Sequence, residues 1–167
     1  MQKQASYYKL YALILVLFST LHACFANYVS YESTIHNEQP ALTIATLYGK
    51  FLITEPVLIE LITSPQMERL KGVRQLGVWY QAMKPYDYNR FDHSLGVWAL
   101  VKKFNGSLQE QIAALVHDAS HTAFSHVGSF FFVDSEKEMD AFQDNEHLNY
   151  LHASGLANIL QSHGWSI

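Results

Sequence analysis

Apolar positions are continuous at the start of this chain and become helically periodic further along. LYALILVLFSTLHACFA, residues 10–26, carries no charged side chain. Its unbroken apolar core, Leu10 to Phe18, is shorter than the roughly 20 residues that a spanning helix needs. The weakly basic start MQKQASYYK precedes it, and Cys24 and Ala26 occupy the −3 and −1 positions before Asn27. This is the layout of an export signal, so residues 1–26 are expected to be a signal peptide. The competing readings are a retained anchor or a buried first helix. LHAC, 21–24, loosely resembles a lipoprotein processing site, with Cys24 as the lipidated residue.

Residues 27–47 show no clear period and are expected to be a lead-in segment that orders on contact. YGKFLI, 48–53, reads as a short extended piece. Thr54 is a candidate cap for a helix through VLIELI that ends near Ser64. Ser64-Pro65 then repeats a start signal, since proline is accepted at the first helical position, and a second helix should run through MERLKGV. In HSLGVWALVKKF, Val97, Leu100, Val101 and Phe104 recur at helical spacing, and His93 falls on the same face. Asn105-Gly106 breaks that helix. Ser107 with Glu110 then forms a capping box that opens the next, whose buried stripe is Ile112, Leu115, Val116 and Ala119. The acidic stretch 134–146 reads as a solvated loop or helix edge. EHLNYLHA follows as a helix, Ser154-Gly155 interrupts it, and LANILQSH ends at Gly164. The expected class is all-α.

The 167 residues, 49% hydrophobic and 16% charged, are enough for one domain with a real core. The formal net charge is −4, and loss of Lys3 and Lys9 with residues 1–26 would make it −6. That argues against general nucleic-acid binding, which needs an excess of basic side chains. Cys24 is the single cysteine, so the mature chain can form no internal disulfide.

The chemistry concentrates in LVHDASHTAFSH, 115–126, where His117, Asp118, His121 and His126 interrupt small and apolar residues. Burying such groups unbalanced is costly. Neutral imidazole and carboxylate together bind borderline divalent cations. His117 and Asp118 diverge by about 100° on a helix, so a cation can sit between them. It needs a further ligand, and His93 is the donor that a short antiparallel connection would supply. Read alone, HDASH also echoes the zinc-peptidase HExxH pattern, with Asp one methylene short of the required Glu. Arg90 could pair with Asp92 or Asp87. Seven of the nine Lys and Arg after residue 26 fall between Arg69 and Lys103, a patch that suits an anionic ligand or a solvated surface.

Asn89-Arg90-Phe91-Asp92-His93-Ser94-Leu95-Gly96-Val97, then His117-Asp118, His121 and Phe124-Ser125-His126, resemble the HD superfamily of metal-dependent phosphohydrolases. The branch most similar is that of the deoxynucleoside triphosphate triphosphohydrolases. TEPVLIELITSPQMERLKGVRQLG, 54–77, is similar to the lead-in helices of that branch, so the likeness covers roughly residues 48–164. It implies an HD-domain helical bundle. His93, His117 and Asp118 would be ligands of a divalent metal ion (Fe, Mn, Zn, Mg, Ni or Co). Arg90 would grip phosphate, and His121 and His126 would line the phosphate path. His147, with His152 as an equally placed candidate, would protonate the leaving oxygen, while Gln75 and Leu76 would contact the nucleoside.

The family completes its metal site with an Asp further downstream, and its usual Gly-His-Gly or Gly-His-Thr-Pro pattern stands here as Ser120-His121-Thr122-Ala123. Residues 48–167 are therefore expected to be the N-terminal portion of an HD domain, incomplete at the C-terminus. The implied function is nucleotide hydrolysis, dGTP or another dNTP being the substrate, by metal-activated water. The alternative is a shortened module that binds a nucleotide or a partner without turnover. The family implies a homo-oligomer. Membrane contact is expected only through the N-terminal signal or a lipidated Cys24. The compartment is periplasmic or secreted with the signal, cytoplasmic without it.

Overall fold

Among the described residues a three-stranded antiparallel sheet comes first, and it corrects the all-α expectation. The computed structural model describes residues 29–37, 39–76, 88–123 and 146–166. Within them β1 (Ser30–His36), β2 (Gln39–Thr46) and β3 (Gly49–Ile53) form a meander in the order β1-β2-β3. β1 pairs with β2 from Ser30↔Ala45 to His36↔Gln39, and β2 with β3 from Leu42↔Ile53 to Thr46↔Gly49. Tyr31, Thr34, Thr43 and Ile44 are residue types that suit pleated backbone. The period-2 signal is faint because Ala, Ser and Thr occupy many of its positions. Leu42 and Ile44, two apart on β2, and Ile53 on β3 are all buried.

α1 (Pro56–Thr63) begins after Glu55 rather than Thr54, with Pro56 in its first turn. Glu55 accepts a hydrogen bond from Lys102 Nζ at 2.7 Å instead of capping the helix with its side chain. Ser64 Oγ accepts from the Met67 amide at 3.3 Å and starts α2 (Pro65–Glu68), which tightens into a 3-10 turn over Arg69–Gly72. α3 (Arg90–Lys103) is capped by Asn89, whose side chain accepts from the Asp92 amide at 2.9 Å. α3 lies against the sheet. Trp98 meets Phe51 edge-on at 5.6 Å between ring centroids, and Phe91 meets Tyr31 at 6.0 Å.

The chain then reverses tightly. Asn105 adopts φ +59°, and the Gly106 amide donates to Val101 O at 2.8 Å. A Cβ at Gly106 would lie 2.4 Å from Val101 Cγ1, so the close approach needs glycine. The expected capping box is present: Ser107 Oγ accepts from the Glu110 amide at 3.3 Å, and the Ser107 amide donates to Glu110 Oε2 at 2.7 Å. It opens α4 (Leu108–Val116), with Ile112, Leu115, Val116 and Ala119 buried as the stripe predicts. α5 covers residues 146–154, and Gly155, at φ +87°, turns the chain into α6 (Leu156–Ser162). Gln66 Nε2 donates to Ser154 O at 2.7 Å, and His163 Nε2 donates to Glu60 Oε2 at 2.8 Å. One core runs from Leu42 and Ile44 through Trp98 and Leu115 to Leu156 and Leu160. Among the described residues no helix is long and apolar enough to cross a membrane. The expected signal peptide, 1–26, lies outside them.

Candidate metal centre

The α3–α4 hairpin brings His93, His117 and Asp118 together. His93 stands in the first turn of α3, His117 is the C-cap of α4, and Asp118 follows it in the turn. One ligand atom from each lies within 4.8 Å of the others. His93 Nε2 is 3.3 Å from His117 Nε2 and 3.8 Å from Asp118 Oδ2, and His117 Nε2 is 3.5 Å from Asp118 Oδ1. Metal–ligand bonds of about 2.1 Å meeting at about 90–109° hold neighbouring ligand atoms about 3.0–3.4 Å apart. The separation of the two imidazoles matches such an edge, while the two carboxylate distances, each to a different oxygen of Asp118, are longer than one.

The tautomer also fits. His117 Nδ1 lies 2.7 Å from Ala114 O. A carbonyl can only accept, so Nδ1 carries a proton, and in the neutral ring Nε2 presents its lone pair toward His93 and Asp118. Metal-ligating imidazoles are oriented in this way, through the hydrogen bond of the other ring nitrogen. These residues could hold a divalent metal ion.

Asp118 is buried, 6% exposed, and it is surrounded by positive or ionisable nitrogen. Burial pushes its carboxyl up, but His117, the Arg90 guanidinium, His121 and His93 outweigh that and hold it at about 2. Arg90 Nη1 donates to Asp118 Oδ2 at 2.6 Å, both side chains being buried. Asp118 is thus a partner of Arg90 that neither nearby acid suggested. Asp92 accepts from Asn89 Nδ2 at 3.0 Å, and burial pushes its carboxyl up to about 6. Asp87 lies outside the described residues.

His121 is buried, with Nδ1 3.6 Å from Asp118 Oδ1. His147 reaches the same turn from α5, its Nδ1 being 3.1 Å from Ser120 Oγ. Ser120, one of the departures from the family pattern, is what meets it. Gln75 and Leu76 sit beside the start of α3. The Gln75 amide donates to Tyr88 O at 3.1 Å and the Arg90 amide to Val73 O at 2.8 Å, with an isolated bridge between Arg74 and Asn89. Gln75 Oε1 is buried there without a hydrogen-bond partner among the described residues. His126 lies outside the described residues.

Sequence reasoning passes over Arg69. Its Nη1 donates to His121 O at 2.9 Å, its Nη2 to Ala119 O, and its Nε to Tyr150 Oη at 2.8 Å. Its one sequence signal is membership of the basic stretch, which points to an anion. Its acceptors are neutral oxygens on segments 50 and 81 positions away.

Residues 90–162 match the HD domain family. The chain is 40% identical over 119 residues to the uncharacterized protein YdhJ of Bacillus subtilis, covering 71% of this chain and 35% of that protein. It is 36% identical over 131 residues to the metal-dependent phosphohydrolase cns2 of Cordyceps militaris, covering 78% and 37% respectively. Against the deoxynucleoside triphosphate triphosphohydrolase SAMHD1 of Homo sapiens it is 30% identical over 131 residues, covering 65% and 21%. The chain thus spans only 35%, 37% and 21% of the length of these relatives.

Proposed function

This chain belongs to the HD-domain superfamily, and we propose that it is a metal-dependent phosphohydrolase acting on a nucleotide, a deoxynucleoside triphosphate first among the candidates. The observation that carries this reading is the His93, His117 and Asp118 cluster, with His117 Nδ1 committed to Ala114 O. A divalent cation there supplies Lewis acidity toward a phosphoryl oxygen and readies water for attack. That cns2 is a metal-dependent phosphohydrolase and SAMHD1 a deoxynucleoside triphosphate triphosphohydrolase supports the same chemistry.

The side chains around the cluster have separate tasks. Arg90 orients the Asp118 carboxylate and places a permanent positive charge beside the phosphate path. His121 extends that path from the same turn. His147, held by Ser120 across from α5, is the proton donor to the leaving oxygen. His126 is assigned to the same path by the family likeness, and Gln75 and Leu76 to the nucleoside. The active form is a homo-oligomer, and an N-terminal signal directs the chain to export.

A second reading, nucleotide binding without turnover, is favoured by one feature. Arg90 holds Asp118 Oδ2 at 2.6 Å, so guanidinium and cation share one carboxylate. The test is phosphate release from a dNTP panel with added Mn, Fe, Co or Zn, for wild type, His117→Ala and Asp118→Ala. Cation-dependent release falling at least about 100-fold in both variants is expected. Equal rates in all three overturn the proposal. Nucleotide-dependent thermal stabilisation without product establishes the second reading.

A further inference from the structure

We propose that Arg69 is a positioning residue for this site, acting through the backbone of the turn that carries Asp118. The inference rests on the metal-centre reading above. His117 and Asp118 lie where α4 has ended, so their placement depends on the short turn 117–121. The turn has one backbone bond back to the end of α4, Ala119 N to Val116 O at 2.9 Å, and one of its own, His121 N to Asp118 O at 3.1 Å. Its own outward carbonyls, Ala119 O and His121 O, both accept from the Arg69 guanidinium.

A planar fork can span two carbonyls that a single amine cannot. A cation is also favoured where a helix has just ended and carbonyl oxygens point outward. The third donor of Arg69, Nε, bonds Tyr150 Oη, and the guanidinium lies 4.9 Å from the Tyr150 ring centroid. Tyr150 is on α5, one turn after His147, whose Nδ1 meets Ser120 in the same turn. One arginine therefore holds the turn and the helix facing it. Arg69 is itself exposed, so substitution there opens no cavity in the core.

The experiment is titration of the metal-free protein with Co(II), read by its visible d–d absorption, with thermal unfolding as a check of folding. Wild type, Arg69→Gln, Arg69→Lys, Tyr150→Phe and His117→Ala are compared. Arg69→Gln is expected to weaken Co(II) about 10-fold, as loss of an outer partner of a metal site does, and to change the band shape. Arg69→Lys should fall between it and wild type. Tyr150→Phe, which leaves both carbonyl contacts intact, should match wild type. Wild-type affinity and spectrum in Arg69→Gln overturn the inference, as does an equal loss in Tyr150→Phe. If Arg69→Gln does not fold, Arg69→Lys decides: weaker binding supports the inference and unchanged binding overturns it. No Co(II) binding by wild type removes the metal centre itself, and the inference with it. Binding by wild type that His117→Ala abolishes, with the Arg69 variants unaltered, removes this inference alone.

Discussion

Asp118 divides its carboxylate between two kinds of neighbour. Its Oδ2 accepts from Arg90 at 2.6 Å, while Oδ1 lies 3.5 Å from His117 Nε2 and 3.6 Å from His121 Nδ1. Both partners of the ion pair are buried, so removing one takes a short charge-assisted contact from the other where water cannot replace it. Such breaks cost about 3–5 kcal/mol. Asp118→Asn is expected to lower the unfolding free energy of the metal-free protein by about that amount, measured by urea denaturation. A loss below about 1 kcal/mol would show that the pair is a bystander to folding. At this scale the sequence was legible where chemistry is local. His117 and Asp118 adjoin, and His93 is one helical turn before an apolar stripe. Arg90 was legible as a functional cation, but its contact with Asp118 was not, because Asp118 is 28 positions away and nearer acids competed for it. Arg69 was harder still, since backbone carbonyls leave no mark in the side-chain pattern.

Helices declared themselves through their ends. Ser64-Pro65, the Ser107–Glu110 box and Gly155 each mark a boundary that the structure keeps. Thr54 misled because a proline at 56 shifts the cap to Glu55. Glu55 then joins two elements, its carboxylate at the start of α1 and Lys102 near the end of α3. Burial pushes the Glu55 carboxyl up, but Lys102 and backbone amides outweigh that and hold it below its usual 4.5. A carboxyl depressed on folding contributes stability that is present above its unfolded value and lost as pH falls through the folded one. Glu55→Gln should therefore flatten the dependence of unfolding free energy on pH below about pH 5, while changing little of its shape above that. An unaltered acid limb in a urea series across that range would dismiss the contact as an energetic link.

For the molecule as a whole, the error of reading was one of class. β1 and β2 look aperiodic because their alternation is carried by small and hydroxylated side chains, and only the fold reveals that Leu42 and Ile44 close the core under α3. If the sheet is integral, Ile44→Ala should cost about 2–5 kcal/mol. Ile35→Ala, at a position 81% exposed on β1, should stay within about 0.5 kcal/mol of wild type. Comparable small effects for both, measured by urea denaturation, would mean that the strands merely decorate the helices. The HD motif, by contrast, was legible from end to end of the α3–α4 hairpin, because its residues lie on two consecutive helices with a short turn between them. That proximity has a kinetic corollary. His93 and His117 are 24 positions apart, a short loop by the measure that sets folding speed. The imidazoles can meet as soon as the two arms pair, before α6 has to dock, so cation capture would act as an early nucleation event rather than a finishing step.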